Sequence, residues 1–138
     1  MRNYFWIVSH DKLYESLRSF LLADPPQGDV ESMEFNISMQ PNMISYEGHY
    51  LYENGKEEPI NLKLIGKYQC HLFTEFLKQF HLENTDDGKN RWNKVTIKRI
   101  GNGEFQSVFD WDDKWEQENI DSYNGSEIGR PKWYWEEK

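Results

Sequence analysis

The carboxylate run Asp110-Trp-Asp-Asp113 is the part of this chain best equipped to do chemistry. On an extended strand Asp110 and Asp112 share a face, since side chains alternate with a period of two. With a third carboxylate beside them they offer the hard oxygen donors that Mg²⁺ or Ca²⁺ takes. The same acids have two other uses. An Asp at a strand end caps the following helix, where its charge favours the positive end of the helix dipole. They also belong to a wider acidic region: residues 101–138 hold ten carboxylates against four Lys/Arg, a net of −6 out of −8 for the chain. Trp111, Trp115, Trp133 and Trp135 place four of the six tryptophans in that region. Exposed Trp is among the side chains most enriched in binding hot spots. Large rings among uncompensated carboxylates therefore predict a surface that holds a cationic partner. A metal-dependent enzyme at Asp110, Asp112 and Asp113 is the weaker reading, because a catalytic metal site also needs a base and a way to grip substrate.

The remaining reactive side chains point away from catalysis. His10, His49, His71 and His81 have no metal-ligand spacing, and the chain has no HExxH motif or Cys/His cluster. Cys70 and His71 are adjacent, so on a helix they diverge by about 100° and cannot form a nucleophile–base pair. Cys70 falls on an apolar helical stripe and reads as core. Gly101-Asn-Gly103 lies between two strand patterns, where a tight turn explains it better than a phosphate loop, and no Gly-x-Ser-x-Gly elbow occurs. No catalytic residue, metal site or cofactor is expected, and the chain is not read as an enzyme.

The elements that must position these residues follow from periodicity. Residues 4–22 suit an amphipathic helix through Phe5, Val8, Leu13, Leu17, Phe20 and Leu21, stopped by Asp24-Pro-Pro-Gln-Gly28. From Val30 the period becomes two: Met33, Phe35, Ile37 and Met39 alternate up to Pro41-Asn42, and Ile44, Tyr46, Tyr50 and Tyr52 alternate after it. Glu53-Asn-Gly-Lys56 carries a hairpin's Asn-Gly signal, with a third strand expected around Pro59–Leu64. Helical spacing returns over 67–81 through Cys70, Phe73, Phe76, Leu77 and Phe80. Strands over Trp92–Ile100 and Phe105–Trp111 flank the Gly101-Asn-Gly103 turn, and Asp112 or Asp113 caps a short helix to about Ile120. Trp92 and Trp111 read as core, the Trp92 indole N–H finding an acceptor. For Trp115, Trp133 and Trp135 core and interface readings stand level. The fold class is α+β: a single domain over 1–138, with an antiparallel sheet of about five strands, helices on one face, and the order αβββαββα.

Composition narrows the setting. At 138 residues one core suffices, and an aromatic content of 16% supplies much of it. No apolar run approaches the ~18 residues of a membrane span. The N-terminal apolar patch is too short for a signal sequence and has no small-residue cleavage site. A single cysteine allows no internal disulfide. A cytoplasmic location is expected. A pI near 5 disfavours direct contact with nucleic acid, whose phosphates are repelled, and suits a basic protein partner.

The Phe-rich helix with Phe73, Phe76, Leu77 and Phe80, then Trp92, Gly103, Phe105, Phe109, Asp110 and Trp111, and later Ile128-Gly129-Arg130, resembles the YezG-like immunity proteins. The resemblance is specific over about 70–131, and over 1–65 it rests on layout. The chain departs from relatives in two places. It stops eight residues after Arg130, where relatives often continue into a helical tail, and Asn3-Tyr-Phe-Trp-Ile-Val8 has no match in the family. What the resemblance implies is a cytosolic antitoxin paired with a nuclease toxin of bacterial competition.

The expectation is thus an immunity protein, free as a monomer, that neutralises a cognate toxin domain by stoichiometric 1:1 occlusion. Partner contact is assigned to Glu104, Asp110, Asp112, Asp113, Trp115, Glu116, Glu118, Trp133 and Trp135. The alternative is a non-toxin adaptor module that uses the aromatic C-terminal region as a protein groove.

Overall fold

The computed structural model describes residues 2–4, 11–85, 91–100, 103–127 and 129–136. Its elements are β1 (Arg2–Tyr4), α1 (Asp11–Leu21), β2 (Val30–Gln40), β3 (Met43–Tyr52), β4 (Glu57–Pro59), α2 (Leu62–Ile65), α3 (Lys67–Thr85), β5 (Lys94–Arg99), β6 (Phe105–Trp111) and α4 (Asp113–Asp121). The strands form one antiparallel sheet in the order β1-β6-β5-β2-β3-β4. This is the expected α+β fold, with one strand more than predicted.

The period of two sets the two faces. Along β2, Met33, Phe35, Ile37 and Met39 are all buried, and register brings Tyr50, Tyr46 and Ile44 of β3, Ile97 and Val95 of β5, and Phe109 of β6 to the same side. Helices α1 and α3 cover that side. Leu13, Leu17, Phe20 and Leu21 of α1 and Phe73, Leu77 and Phe80 of α3 are buried at helical spacing. Phe20 and Phe73 stack with centroids 4.6 Å apart, and each meets the edge of Phe35 below. A second aromatic group, Phe80, Trp92 and Phe109, continues the core toward the other end of the sheet. The opposite face carries polar pairs: Lys98 with Glu34 at 3.6 Å, and the Thr96 hydroxyl donating to Asn36 Oδ1 at 3.0 Å. One face is packed and one is polar, as an antiparallel sheet allows.

Gly48 lies on the packed face opposite Phe35. A Cβ there would stand 2.6 Å from the Phe35 ring, 2.7 Å from the Glu34 carbonyl oxygen and 2.8 Å from Ile60. Glycine is what lets Phe35 and Ile60 close over β3.

Two boundary predictions are corrected. Residue 4 does not begin a helix: Arg2–Tyr4 pair with Trp111–Phe109 as an edge strand, and α1 starts at Asp11. Phe5 and Val8 of the predicted helix lie outside the described residues. The open edge of β6 supplies the pairing partner of Arg2–Tyr4, which local spacing does not record. The third strand is Glu57–Pro59 rather than Pro59–Leu64. Asn61 turns the chain away by accepting the Lys63 and Leu64 N–H groups and so capping α2. The Trp92 ring is fully buried as expected, but its indole N–H finds no acceptor among the described residues. Cys70 is half-buried beside the Leu62 carbonyl. No helix among the described residues is long and apolar enough to cross a membrane.

Candidate partner-binding face

The carboxylates beyond residue 100 are sorted by geometry into three groups. Glu104 lies apart from the other acids of this region. It is exposed just before β6, and the rise of that strand carries it roughly 20 Å from Asp110 and farther from Asp112 at about 3.3 Å per residue. The expectation that it shares a patch with Asp112 and Asp113 is not met, because an extended strand carries its two ends far apart.

The second group holds the structure together. Asn93, fully buried, clasps the end of β6: its Oδ1 accepts the Asp112 N–H at 2.7 Å, and its Nδ2 donates to the Asp112 carbonyl at 3.0 Å. So fixed, Asp112 caps α4, its Oδ1 accepting the Trp115 N–H at 3.0 Å while its other oxygen pairs with Lys94 at 3.1 Å. The Trp115 N–H bond, followed by the Lys94 ammonium, holds the Asp112 carboxyl below the usual range. Asp110 lies directly across from Lys94 on the polar face. Burial and then the Asp112 charge push its carboxyl up, and one of its oxygens has no hydrogen-bond partner among the described residues. Glu116 faces inward, both oxygens 3.1 Å from the Trp133 indole nitrogen that donates to them, and burial raises its pKa.

The third group is the outer stripe of α4. Trp115, Glu116, Asn119 and Ile120 take the half-buried inner side of this helix, leaving Asp113, Glu118 and Asp121 exposed with Lys114 as the one cation among them. Asp110, Asp112 and Asp113 do not converge. Among the described residues no group of three or more His, Cys, Asp or Glu side chains is arranged to hold a metal ion.

The tryptophans divide in the same way. Trp133 is 3% exposed, which corrects its assignment to the partner surface. Its ring stacks on Trp135 (4.8 Å, 9°) and on His81 (5.2 Å, 29°) and tilts against Trp111 (6.0 Å). Trp115 is half-buried, its indole N–H donating to the Met39 carbonyl at 3.0 Å and its ring 5.0 Å from the Lys94 ammonium. Trp135 is half-buried with the Arg91 guanidinium 5.0 Å from its ring. Arg130 forms a two-pronged pair with Glu136 at 3.2 Å, and Glu136 also accepts the Trp133 N–H at 2.9 Å. Gly129 and Arg130 of the motif thus lead into this fastened C-terminal arm, while Ile128 lies outside the described residues.

His81 anchors the arm from α3. It is 3% exposed, and its Nε2–H donates to the Trp92 carbonyl at 2.8 Å, while the Tyr134 hydroxyl lies 3.2 Å from Nδ1 and donates to the His81 carbonyl at 3.0 Å. Burial lowers its pKa to about 4, against the opposing effect of the Trp92 bond. In the sequence His81 has no metal-ligand spacing to the other histidines. Its place four residues after Leu77 and eight after Phe73, on the buried stripe of α3, was the signal that marked it as core.

The sequence also left unmarked a groove of ≈ 300 Å³ between α3, the β2–β3 hairpin tip and the C-terminal arm. Met39, Met43, Ile44, Leu82, Trp133 and Tyr134 line it, with Met43 51% and Leu82 39% exposed. Lys78 at its side pairs with Glu75 at 3.2 Å, both side chains being exposed. Gln40, Pro41 and Asn42 form one wall of the groove, and they also line the cleft against α4, where Asn42 donates to the Tyr123 hydroxyl at 3.4 Å. The hairpin tip thus meets α4 through Glu116, Asn119 and Ile120 of its inner side, while Asp113, Glu118 and Asp121 lie on the outer side. No protein-family model matches this chain, and no curated protein matches it.

Proposed function

We propose that this protein is a cytoplasmic antitoxin that binds a basic toxin domain, a nuclease by family resemblance, and neutralises it by stoichiometric occlusion. The observation that supports this reading is the exposed acidic stripe of α4, Asp113, Glu118 and Asp121, on a helix whose start is fixed by the Asn93–Asp112 clasp. Fixed carboxylates steer a cationic surface into contact and compete for the Lys/Arg side chains that a nuclease uses against phosphate. Asp112 and Glu116 support the stripe from inside. A standard interface of about 1,600 Å² with a Kd of about 1 nM or tighter is expected.

The test is the product of the gene directly upstream, where the toxin of such a pair is encoded. The purified protein should bind it 1:1 and suppress its activity. Reversal of Asp113 and Glu118 to Lys should slow association at low salt by about tenfold and flatten its salt dependence. A folded variant with an unchanged association rate removes α4 as the steering surface. If the native chain fails to bind and a housekeeping protein is captured instead, the adaptor reading takes its place.

A further inference from the structure

We infer that the exposed junction of α2 and α3 is a second docking surface, and that its partner is an acidic polypeptide segment with apolar residues along one side. The inference goes beyond the antitoxin reading, which concerns the acidic helix α4 and a basic partner.

Six side chains carry the surface. Lys63, Lys67 and His71 recur every four residues, and Leu64, Tyr68 and Leu72 do so one position later. On α3 a spacing of four makes Lys67 a neighbour of His71 and Tyr68 a neighbour of Leu72, one turn apart on the outer side. Helix α2 brings Lys63 and Leu64 up to them across the single residue Gly66. All six are exposed, Leu64 by 66%, Tyr68 by 70% and Leu72 by 45%. Leu72 also lines a groove of ≈ 370 Å³ between α1 and α3, beside Phe73 and Phe76, which gives an apolar side chain of the partner a recess next to the stripe. His81, which holds the C-terminal arm, lies roughly 21 Å from Lys67 along α3 at about 1.5 Å per residue, so this surface is separate from the arm.

Charge selects the partner. The chain has 24 Asp and Glu residues and a net charge of −8, yet none of them lies between Glu58 and Glu75. Among the described residues Lys63, Lys67 and His71 form no ion pair, whereas Glu75, one turn beyond His71, is paired with Lys78 at 3.2 Å. Lys12 and Glu15 in the groove wall offset each other, which leaves Lys63 and Lys67 to choose the partner's sign. Unpaired ammonium groups beside an apolar stripe complement carboxylates beside an apolar stripe. Two lysines fall short of the cluster of about four to eight cations that holds a protein to an anionic membrane, and the remaining charge of the chain opposes any extended phosphate surface. A second copy of this chain offers Asp113, Glu118 and Asp121, but Trp115 and Ile120 of the same helix turn inward and leave it without the apolar half.

The probes are three synthetic amphipathic helices of about 20 residues with one leucine face and a polar face of Glu, Gln or Lys. Added to the ¹⁵N-labelled full chain, the Glu peptide should shift the amides of Lys63–Leu72 and leave those of β6 in place. The Gln peptide should bind there about fivefold more weakly or worse, and the Lys peptide should not shift these amides. Lys63→Gln/Lys67→Gln should weaken the Glu peptide by about fivefold or more at low salt, and added salt should do the same to the native chain. Leu64→Ser/Tyr68→Ser should weaken it at every salt concentration. If a variant loses its fold, the salt dependence of the native chain and the ranking of the three peptides carry the same test. A Glu peptide that leaves Lys63–Leu72 unshifted, or that binds equally well without the two lysines, overturns the acidic-partner surface. Binding of phosphatidylserine vesicles by these lysines in place of the peptide overturns it too, as does a concentration-dependent self-association that shifts the same amides. None of these outcomes touches toxin binding by α4, which is measured with the toxin itself.

Discussion

Lowering the pH should loosen the C-terminal arm through one residue, His81. The side chain is 3% exposed and walled by the indoles of Trp92, Trp133 and Trp135, which leaves an imidazolium almost no water. Burial takes its pKa from 6.5 to about 4. The sign follows from which state takes the proton first. Above pH 6.5 the ring is neutral both folded and unfolded, and the full stability is present. Between 6.5 and about 4 the unfolded chain binds a proton that the folded chain does not, so stability falls as pH falls. At roughly 1.4 kcal/mol per pH unit that gap is worth about 3 kcal/mol. The residue is almost wholly buried, so solvent screening removes little of this. Cation–π attraction from the surrounding rings returns about 0.5–2 kcal/mol, leaving about 1–3 kcal/mol. Urea unfolding followed by tryptophan fluorescence from pH 8 to pH 4 measures the effect, and His81→Gln isolates it. Glutamine can still donate to the Trp92 carbonyl, yet it does not titrate. The native chain should lose about 1–3 kcal/mol relative to His81→Gln between pH 6.5 and 4, with a constant difference above pH 7. A difference that stays flat across the whole range would show that the histidine is not held neutral by burial, and the anchor argument would go with it.

Two further substitutions probe the frame. Gly48→Ala should cost about 1–3 kcal/mol in the urea midpoint, because its methyl would meet the Glu34 carbonyl and the Phe35 ring at under 3 Å. Wild-type stability in that variant would mean that β2 and β3 yield more readily than their register implies. Asn93→Ala should cost about 1–3 kcal/mol by leaving the Asp112 N–H and carbonyl without partners, and it should speed amide exchange at Asp112 and Trp115 before the rest of α4. Uniform exchange along α4 would show that the clasp does not set the start of the helix.

The elements legible in the sequence are those whose period is set within one segment. Met33, Phe35, Ile37 and Met39 announce β2, and the alternation from Phe105 to Trp111 gives β6 with its observed ends. Asp112 was readable as a cap because the capping bond spans three residues. Distant partners decide the elements that were misread. Arg2–Tyr4 become a strand because β6 offers an edge more than a hundred residues later, and local spacing records none of that. Pro59–Leu64 alternates well enough for a strand, but the Asn61 side chain satisfies the N–H groups of a helix start, which a hydrophobic pattern does not register.

The acidic region shows why a charge count locates a binding face poorly. In sequence, Glu104, Asp110, Asp112, Asp113, Glu116 and Glu118 form one run. In space, the rise along β6 carries Glu104 to the far end, and alternation puts Asp110 beside Lys94 on the polar face. The turn of α4 then sends Glu116 in to Trp133 and Glu118 out to solvent. A carboxylate turned inward to a buried donor or paired with a lysine has little left to offer a partner, so the charge available for steering is smaller than the sequence suggests and is confined to one helix face. The tryptophans follow the reverse logic. Trp133, one of three rings assigned to the partner surface, is spent on His81 and Trp111, and the apolar surface left open near it belongs to Met43 and Leu82, flexible side chains that composition gave no reason to single out. The charge free to steer is therefore confined to the outward side of α4, and substitutions at Asp113 and Glu118 should alter association more than dissociation.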